Sequence, residues 1–133
     1  MNRVFVDTSA WYAYLNRSDP DHREAAAALE TFSGRLVSSN FILDEIVTLC
    51  QARLGHGAAE RVGAVLLDSG AVDLVRLTAR DELAAWHLFV ERPDKQYSFT
   101  DCTSFVLMRR LGLGSAIALD HHFRQEGFGV VPD

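Results

Sequence analysis

Short apolar runs alternate along this chain with longer segments of helical period. Val4-Phe5-Val6 is the first run, β-branched and aromatic, and it ends on Asp7-Thr8-Ser9. That pattern predicts a buried strand carrying a carboxylate to its C-terminal end. Thr8 or Ser9 is placed to cap a helix through Ala10 to Leu15, and Asp19-Pro20 reads as an N-cap and first-position proline opening a helix from about Asp21 to Phe32. Ser33-Gly34 stops it. Leu36-Val37-Ser38 predicts a second strand, followed by a helix from Phe41 to Leu54 capped by Ser39 or Asn40. Gly55-His56-Gly57 separates this from a helix over Ala58 to Asp68.

Val72 to Leu77 alternates and predicts a half-exposed third strand, and Thr78 to Asp81 has capping-box spacing for a helix running to about Glu91. Arg92 to Tyr97 is the longest polar loop. Ser98, with Asp101 at capping-box spacing, opens the next helix, which ends at Leu111-Gly112. Ala116 to Leu119 is a fourth strand, Phe123 to Glu126 a helical turn, and Val130-Val131 a last strand. Strands alternating with helices predict right-handed crossovers, a parallel sheet and a three-layer α/β/α domain. At 133 residues the chain is expected to form a single domain, 1–133, without internal repeats or linkers.

Composition narrows the class without naming the chemistry. Hydrophobic residues make up 48% and charged residues 23%, as in soluble globular proteins. The chain shows no signal-peptide pattern and no membrane-spanning run, so a cytoplasmic location is expected. The two cysteines, Cys50 and Cys102, sit in apolar helical patterns and read as reduced, buried thiols, and no Cys/His spacing suggests zinc. A net charge of −5 argues against a surface that is basic throughout, yet leaves nucleic acid open if part of that charge is an acidic metal site.

Four acids fall where this architecture brings chain segments together. Asp7 follows strand one, Glu45 lies early in the third helix, Asp101 is in the first turn of the helix after the polar loop, and Asp120 follows strand four. Strand C-termini and the starts of the following helices share one edge of a parallel sheet. Carboxylates gathered there are hard ligands for Mg²⁺ or Mn²⁺, ions that orient and acidify a water for phosphodiester hydrolysis. Each acid also has a plain structural role open to it. Asp7, Asp101 and Asp120 suit caps or turns, and Glu45, beside Asp44, suits a helix dipole. Thr8, Ser9, Ser98 and Thr100 flank the acids as helix caps or as donors to the carboxylates.

These residues carry a resemblance that extends over essentially the whole chain. Val-Phe-Val-Asp7-Thr-Ser-Ala-Trp, Leu-Asp-Glu45-Ile-Val-Thr-Leu, Ser-Phe-Thr-Asp101-Cys-Thr-Ser-Phe and Ala-Leu-Asp120-His-His-Phe, in this order, resemble the PIN-domain ribonucleases, and within them the VapC-type toxins of toxin–antitoxin pairs. The resemblance implies a five-stranded parallel sheet, a metal-dependent endoribonuclease, a homodimer and inhibition by a cognate antitoxin protein. It assigns Asp7, Glu45, Asp101 and Asp120 as metal ligands, with Thr8 or Ser9 as a polar helper and Mg²⁺ as the ion, replaceable by Mn²⁺. Other readings are a catalytically inactive PIN-like module that binds RNA or protein, a processing nuclease that is not a toxin, and a phosphatase of small phosphoesters.

Several further signals are set aside. Asp7-Thr8-Ser9 lacks the second acid, two residues on, that haloacid-dehalogenase phosphoryl carriers need, and Asp120-His121-His122 lacks the downstream acidic motifs of Asp-His-His phosphoesterases. Both histidines are expected to be exposed turn residues. His22, His56 and His87 have no ligand partner at useful spacing. Arg80, Arg92, Lys95, Arg109 and Arg110 read as scattered surface charge, with Arg92 and Lys95 the candidates for phosphate contacts.

Overall fold

A computed structural model describes residues 2–133. Five strands and seven helices follow one another in the expected alternation: β1 (Arg3–Val6), α1 (Thr8–Leu15), α2 (His22–Thr31), β2 (Arg35–Ser39), α3 (Asn40–Arg53), α4 (His56–Asp68), β3 (Val72–Val75), α5 (Ala79–Glu91), α6 (Phe99–Leu111), β4 (Ser115–Ile117), α7 (His122–Gln125) and β5 (Gly129–Val131). The strands form one parallel sheet in the order β3-β2-β1-β4-β5. The expected five-stranded parallel α/β architecture is what the chain adopts.

That order matters for chemistry. From β1 the chain winds outward through β2 to β3, then returns to the other side of β1 to lay down β4 and β5. The winding direction therefore reverses between β1 and β4, and at such a reversal the loops leaving the strand C-termini part to open a crevice. The Asp7 backbone N–H donates to the Ile117 carbonyl at 3.0 Å, which places the ends of both strands side by side at that point.

β1 is the central strand, and Val4, Phe5 and Val6 are fully buried, as an unbroken apolar run demands. Phe5 packs on Phe123, and Phe105 makes edge-to-face contacts with Tyr97 and Phe123. Val37 buries the middle of β2, and Ile42, Ile46 and Cys50 form the buried inner side of α3. β3 is an edge strand and half-exposed along most of its length, as its alternation predicts. Cys50 and Cys102 are both free and buried, and no helix of the described residues is long and apolar enough to cross a membrane.

Both capping boxes form, Thr78 with Asp81 on α5 and Ser98 with Asp101 on α6, and Gly112 ends α6 in the left-handed conformation. Three details differ from the sequence-based expectation. The cap of α1 is Asp7 itself, whose carboxylate accepts the Ser9 N–H, rather than Thr8 or Ser9. Asp19 instead turns the chain by accepting the Asp21 N–H at 2.8 Å, which delays α2 to His22. Gly57 lies inside α4, the break being confined to Leu54 and Gly55, where Gly55 has φ of 97°. Gly34, with φ of 152°, lets the chain enter β2 against Asn2, whose carbonyl oxygen occupies the space a Cβ would need.

Candidate active site

The crevice at the sheet reversal is a cavity of about 810 Å³, and all four sequence-nominated acids line it, together with Thr8, Ser9, Ser98 and Thr100. They do not stand equally close. Ligand atoms of Asp101, Asp120 and His122 lie within 4.8 Å of one another. Asp7 adjoins this group and feels the charge of both Asp120 and Asp101. Glu45 faces the same space from α3 without belonging to the tight trio. It is half-buried whereas Asp44 is exposed, so Glu45 is the more inward of the neighbouring pair.

Asp7 is held from two directions. Its Oδ2 accepts the Ser9 N–H at 3.2 Å and the Ser9 hydroxyl at 2.7 Å, and the same hydroxyl oxygen accepts the Leu119 N–H at 3.0 Å. Ser9 thus ties the carboxylate after β1 to the segment that delivers Asp120 after β4. Asp7 is only 3% exposed. Burial, followed by the negative charge of Asp120, pushes its carboxyl from 3.8 up to about 8, against the lowering effect of the Ser9 hydrogen bonds. A buried acid in that condition favours a proton or a cation beside it.

Asp101 sits at the third position of α6. Its Oδ2 accepts the Ser98 N–H at 3.0 Å, while the Ser98 hydroxyl accepts the Asp101 N–H at 2.9 Å. Burial raises its pKa as well, with the Asp120 charge adding to the effect and the Ser98 and His122 contacts opposing it. Capping and participation in the acidic cluster are compatible here, because Oδ2 accepts the Ser98 N–H and also meets His122 Nδ1.

His122 is the site residue that sequence reasoning missed. Far from being an exposed turn residue, it places Nδ1 2.9 Å from Asp101 Oδ2 and 4.0 Å from Asp120 Oδ1. Its backbone N–H donates to Asp120 Oδ1 at 3.0 Å, and this local turn folds the imidazole back over the acids. The Asp-x-His spacing was the available signal. His121, by contrast, is exposed as expected.

The basic residues also need correction. Arg92 is no free surface cation, since it pairs with Glu126, whose side chain is 4% exposed and also binds Arg109 and the Tyr97 hydroxyl. Burial raises the Glu126 pKa, but Arg109, Arg92 and Tyr97 together hold it below the usual range. Lys95 lies beside Asp94, and Arg110 is bound by the buried Asp81. None of these residues reaches the cavity wall.

The donor chemistry suits a hard divalent cation. The site offers clustered carboxylates and one imidazole, a set of oxygen and nitrogen donors. Thr8 lines the cavity, and its hydroxyl is buried and has no hydrogen-bond partner among the described residues. An unpaired buried hydroxyl costs about 1–3 kcal/mol unless a ligand or water satisfies it.

Comparison with known proteins gives the same picture. Residues 4–128 match the PIN domain family model. The chain is 38% identical over 125 residues to the 23S rRNA-specific endonuclease VapC20 of Mycobacterium tuberculosis, covering 94% of this chain and 95% of that one. It is 27% identical over 121 residues to ribonuclease VapC26 of the same organism, covering 90% and 89%. The crystal structure of VapC20, described as a sarcin–ricin-loop-cleaving toxin, superposes with a TM-score of 0.90 at 37% identity, over 94% of this chain and 95% of that one. A toxin–antitoxin complex from Klebsiella pneumoniae shares the fold alone, with a TM-score of 0.67 at 15% identity, over 96% of this chain and 95% of the matched one. The chain belongs to the PIN-domain family and stands within it beside the VapC ribonucleases.

Proposed function

We propose that this protein is a divalent-metal-dependent endoribonuclease, using Mg²⁺ or in its place Mn²⁺, and the toxin of a toxin–antitoxin pair. The observation that carries the reading is the grouping of Asp101, Asp120 and His122 within 4.8 Å beside the fully buried Asp7, at the reversal point of the sheet. The VapC relatives support the RNA substrate and the antitoxin partner. Because VapC20 is 38% identical over nearly the full length, the sarcin–ricin loop of 23S rRNA is the first substrate to try.

In this reading Asp7, Asp101 and Asp120 hold the cation, with Glu45 completing the acidic wall from α3. The bound ion supplies Lewis acidity and a water of lowered pKa for in-line attack on the phosphodiester. Ser9 fixes the Asp7 carboxylate through its 2.7 Å hydrogen bond, and His122 fixes Asp101 through the 2.9 Å contact. Thr8, the polar helper beside Asp7, lines the same cavity with its hydroxyl buried and unpaired. Excess negative charge in the cavity, uncompensated, would repel RNA, so cation and substrate binding are expected to be linked.

The homodimer belongs to the same reading. Leu83, Trp86, Phe89 and Val90, all on α5, are four of the six large exposed apolar side chains among the described residues, with Trp86 stacked on Phe89. A second copy covering this stripe would explain its composition, since a contiguous exposed apolar face is uncommon on a monomer.

The test is cleavage of the sarcin–ricin-loop oligoribonucleotide with Mg²⁺ or Mn²⁺, its arrest by EDTA, and its recovery on adding metal back. Asp7→Asn and Glu45→Gln are each expected to lower the rate by at least about a hundredfold. Undiminished cleavage by folded Asp7→Asn, or in EDTA, would sink the assignment. Binding of RNA or a partner in chelator without cleavage would favour the inactive-module reading instead.

A further inference from the structure

We infer that Arg53, seated on the ring of Tyr12, forms a phosphate subsite that fixes the RNA strand a few nucleotides from the bond to be cut. The inference rests on the ribonuclease reading above and adds a substrate-positioning residue to it. Among the described residues, Arg53 is the only arginine or lysine on the wall of the acidic cavity. Arg35, Arg92, Arg109 and Arg110 are each held by a carboxylate, whereas Arg53 has no acidic partner among the described residues.

Its placement follows from the helix that carries the Glu45 carboxylate. Glu45, Leu49 and Arg53 succeed one another at four-residue steps along α3, and all three line the cavity. Two such steps correspond to about 12 Å of helix rise. A strand whose phosphate sits at the acids therefore has another phosphate within reach of Arg53 if it follows the helix. The guanidinium lies 5.8 Å from the centroid of the Tyr12 ring, and Tyr12 is half-buried on α1. The ring restrains a long side chain while leaving its N–H fork open for two phosphate oxygens. The position is also the last turn of α3, where a cation complements the helix dipole, so the competing role is purely structural.

The two roles separate by experiment. Steady-state cleavage of the sarcin–ricin-loop oligoribonucleotide in Mn²⁺ is compared between the wild type, Arg53→Gln and Arg53→Lys across a range of salt. Arg53→Gln is expected to raise KM about five- to tenfold at low salt, to leave kcat within about twofold, and to reduce the slope of log KM against log salt by about 0.7, the value for one lost phosphate contact on a single strand. Arg53→Lys restores the slope but only part of the KM, because it lacks the planar fork. Mn²⁺ affinity by calorimetry stays unchanged in both variants. An Arg53→Gln protein with lower thermal stability but wild-type KM and salt slope would show that Arg53 serves the helix alone. A wild type that cleaves no RNA would remove the ribonuclease reading and this subsite with it.

Discussion

Removing the charge of Asp7 should make the metal-free protein more stable while abolishing the proposed chemistry. In the folded state the Asp7 carboxyl titrates at about 8, against 3.8 for an unburied one. Between those values the folded protein keeps the proton and the unfolded chain has released it, so stability falls as pH rises, by up to about 1.4 kcal/mol per pH unit. Below 3.8 both states are protonated and the penalty vanishes; above about 8 both are ionised and it levels off. At pH 7 the interval above 3.8 is a little over three pH units, which sets a ceiling of about 4 kcal/mol. Local relaxation and water entry bring the expected gain to about 2–4 kcal/mol. Asparagine retains an oxygen for the Ser9 N–H and hydroxyl and remains a good helix cap. The assay is urea denaturation in EDTA at intervals from pH 4.5 to 9, reading the difference between Asp7→Asn and wild type so that other titrating groups cancel. The difference should be about 1 kcal/mol or less at pH 4.5 and grow towards pH 8. A flat difference, or a variant less stable than wild type at pH 8, would refute the account of Asp7 as a buried, charge-crowded acid.

Glu126→Gln should cost about 1–3 kcal/mol by chemical denaturation, because it leaves Arg92 and Arg109 facing a neutral amide where a nearly buried carboxylate binds both. The loss should shrink at acid pH: the folded pKa of Glu126 is depressed, so its stabilisation is present above the unfolded value of 4.5 and disappears as pH falls through the folded one. Gly34→Ala should cost about 2–3 kcal/mol in the same assay, since the new Cβ meets the Asn2 carbonyl and the backbone has φ of 152°; a change below 0.5 kcal/mol would show that the start of β2 yields easily.

Element type and order were legible in the sequence because periodicity, capping boxes and glycine stops agree locally: both boxes formed, and strands as short as Ser115–Ile117 lay where apolar runs placed them. The convergence of the acids was also legible, since a parallel sheet sends every strand C-terminus to one edge and Asp7, Glu45, Asp101 and Asp120 all occur there. What could not be read was the state of individual polar side chains. Asp7 was expected to leave capping to Thr8 and Ser9, yet a single carboxylate both caps α1 and faces the cavity. His122 depends on a turn at Asp120 that orients its ring, and the neutralisation of Arg92, Arg109 and Arg110 depends on partners from 17 to 34 residues away. Periodicity reports which face a residue occupies, and carries no information about a partner so distant along the chain.

The double duty of Asp7, as cap of α1 and member of the acidic cavity, bears on how such a protein can change over generations. Aspartate and asparagine codons differ by one base. At most sites losing a buried carboxylate would leave a defective fold for selection to remove, but here asparagine keeps the cap and relieves the crowding of charge. On the proposed reading, a nuclease-dead descendant that still folds, and still presents its surfaces to RNA and protein partners, is one mutational step away and lies downhill in folding energy.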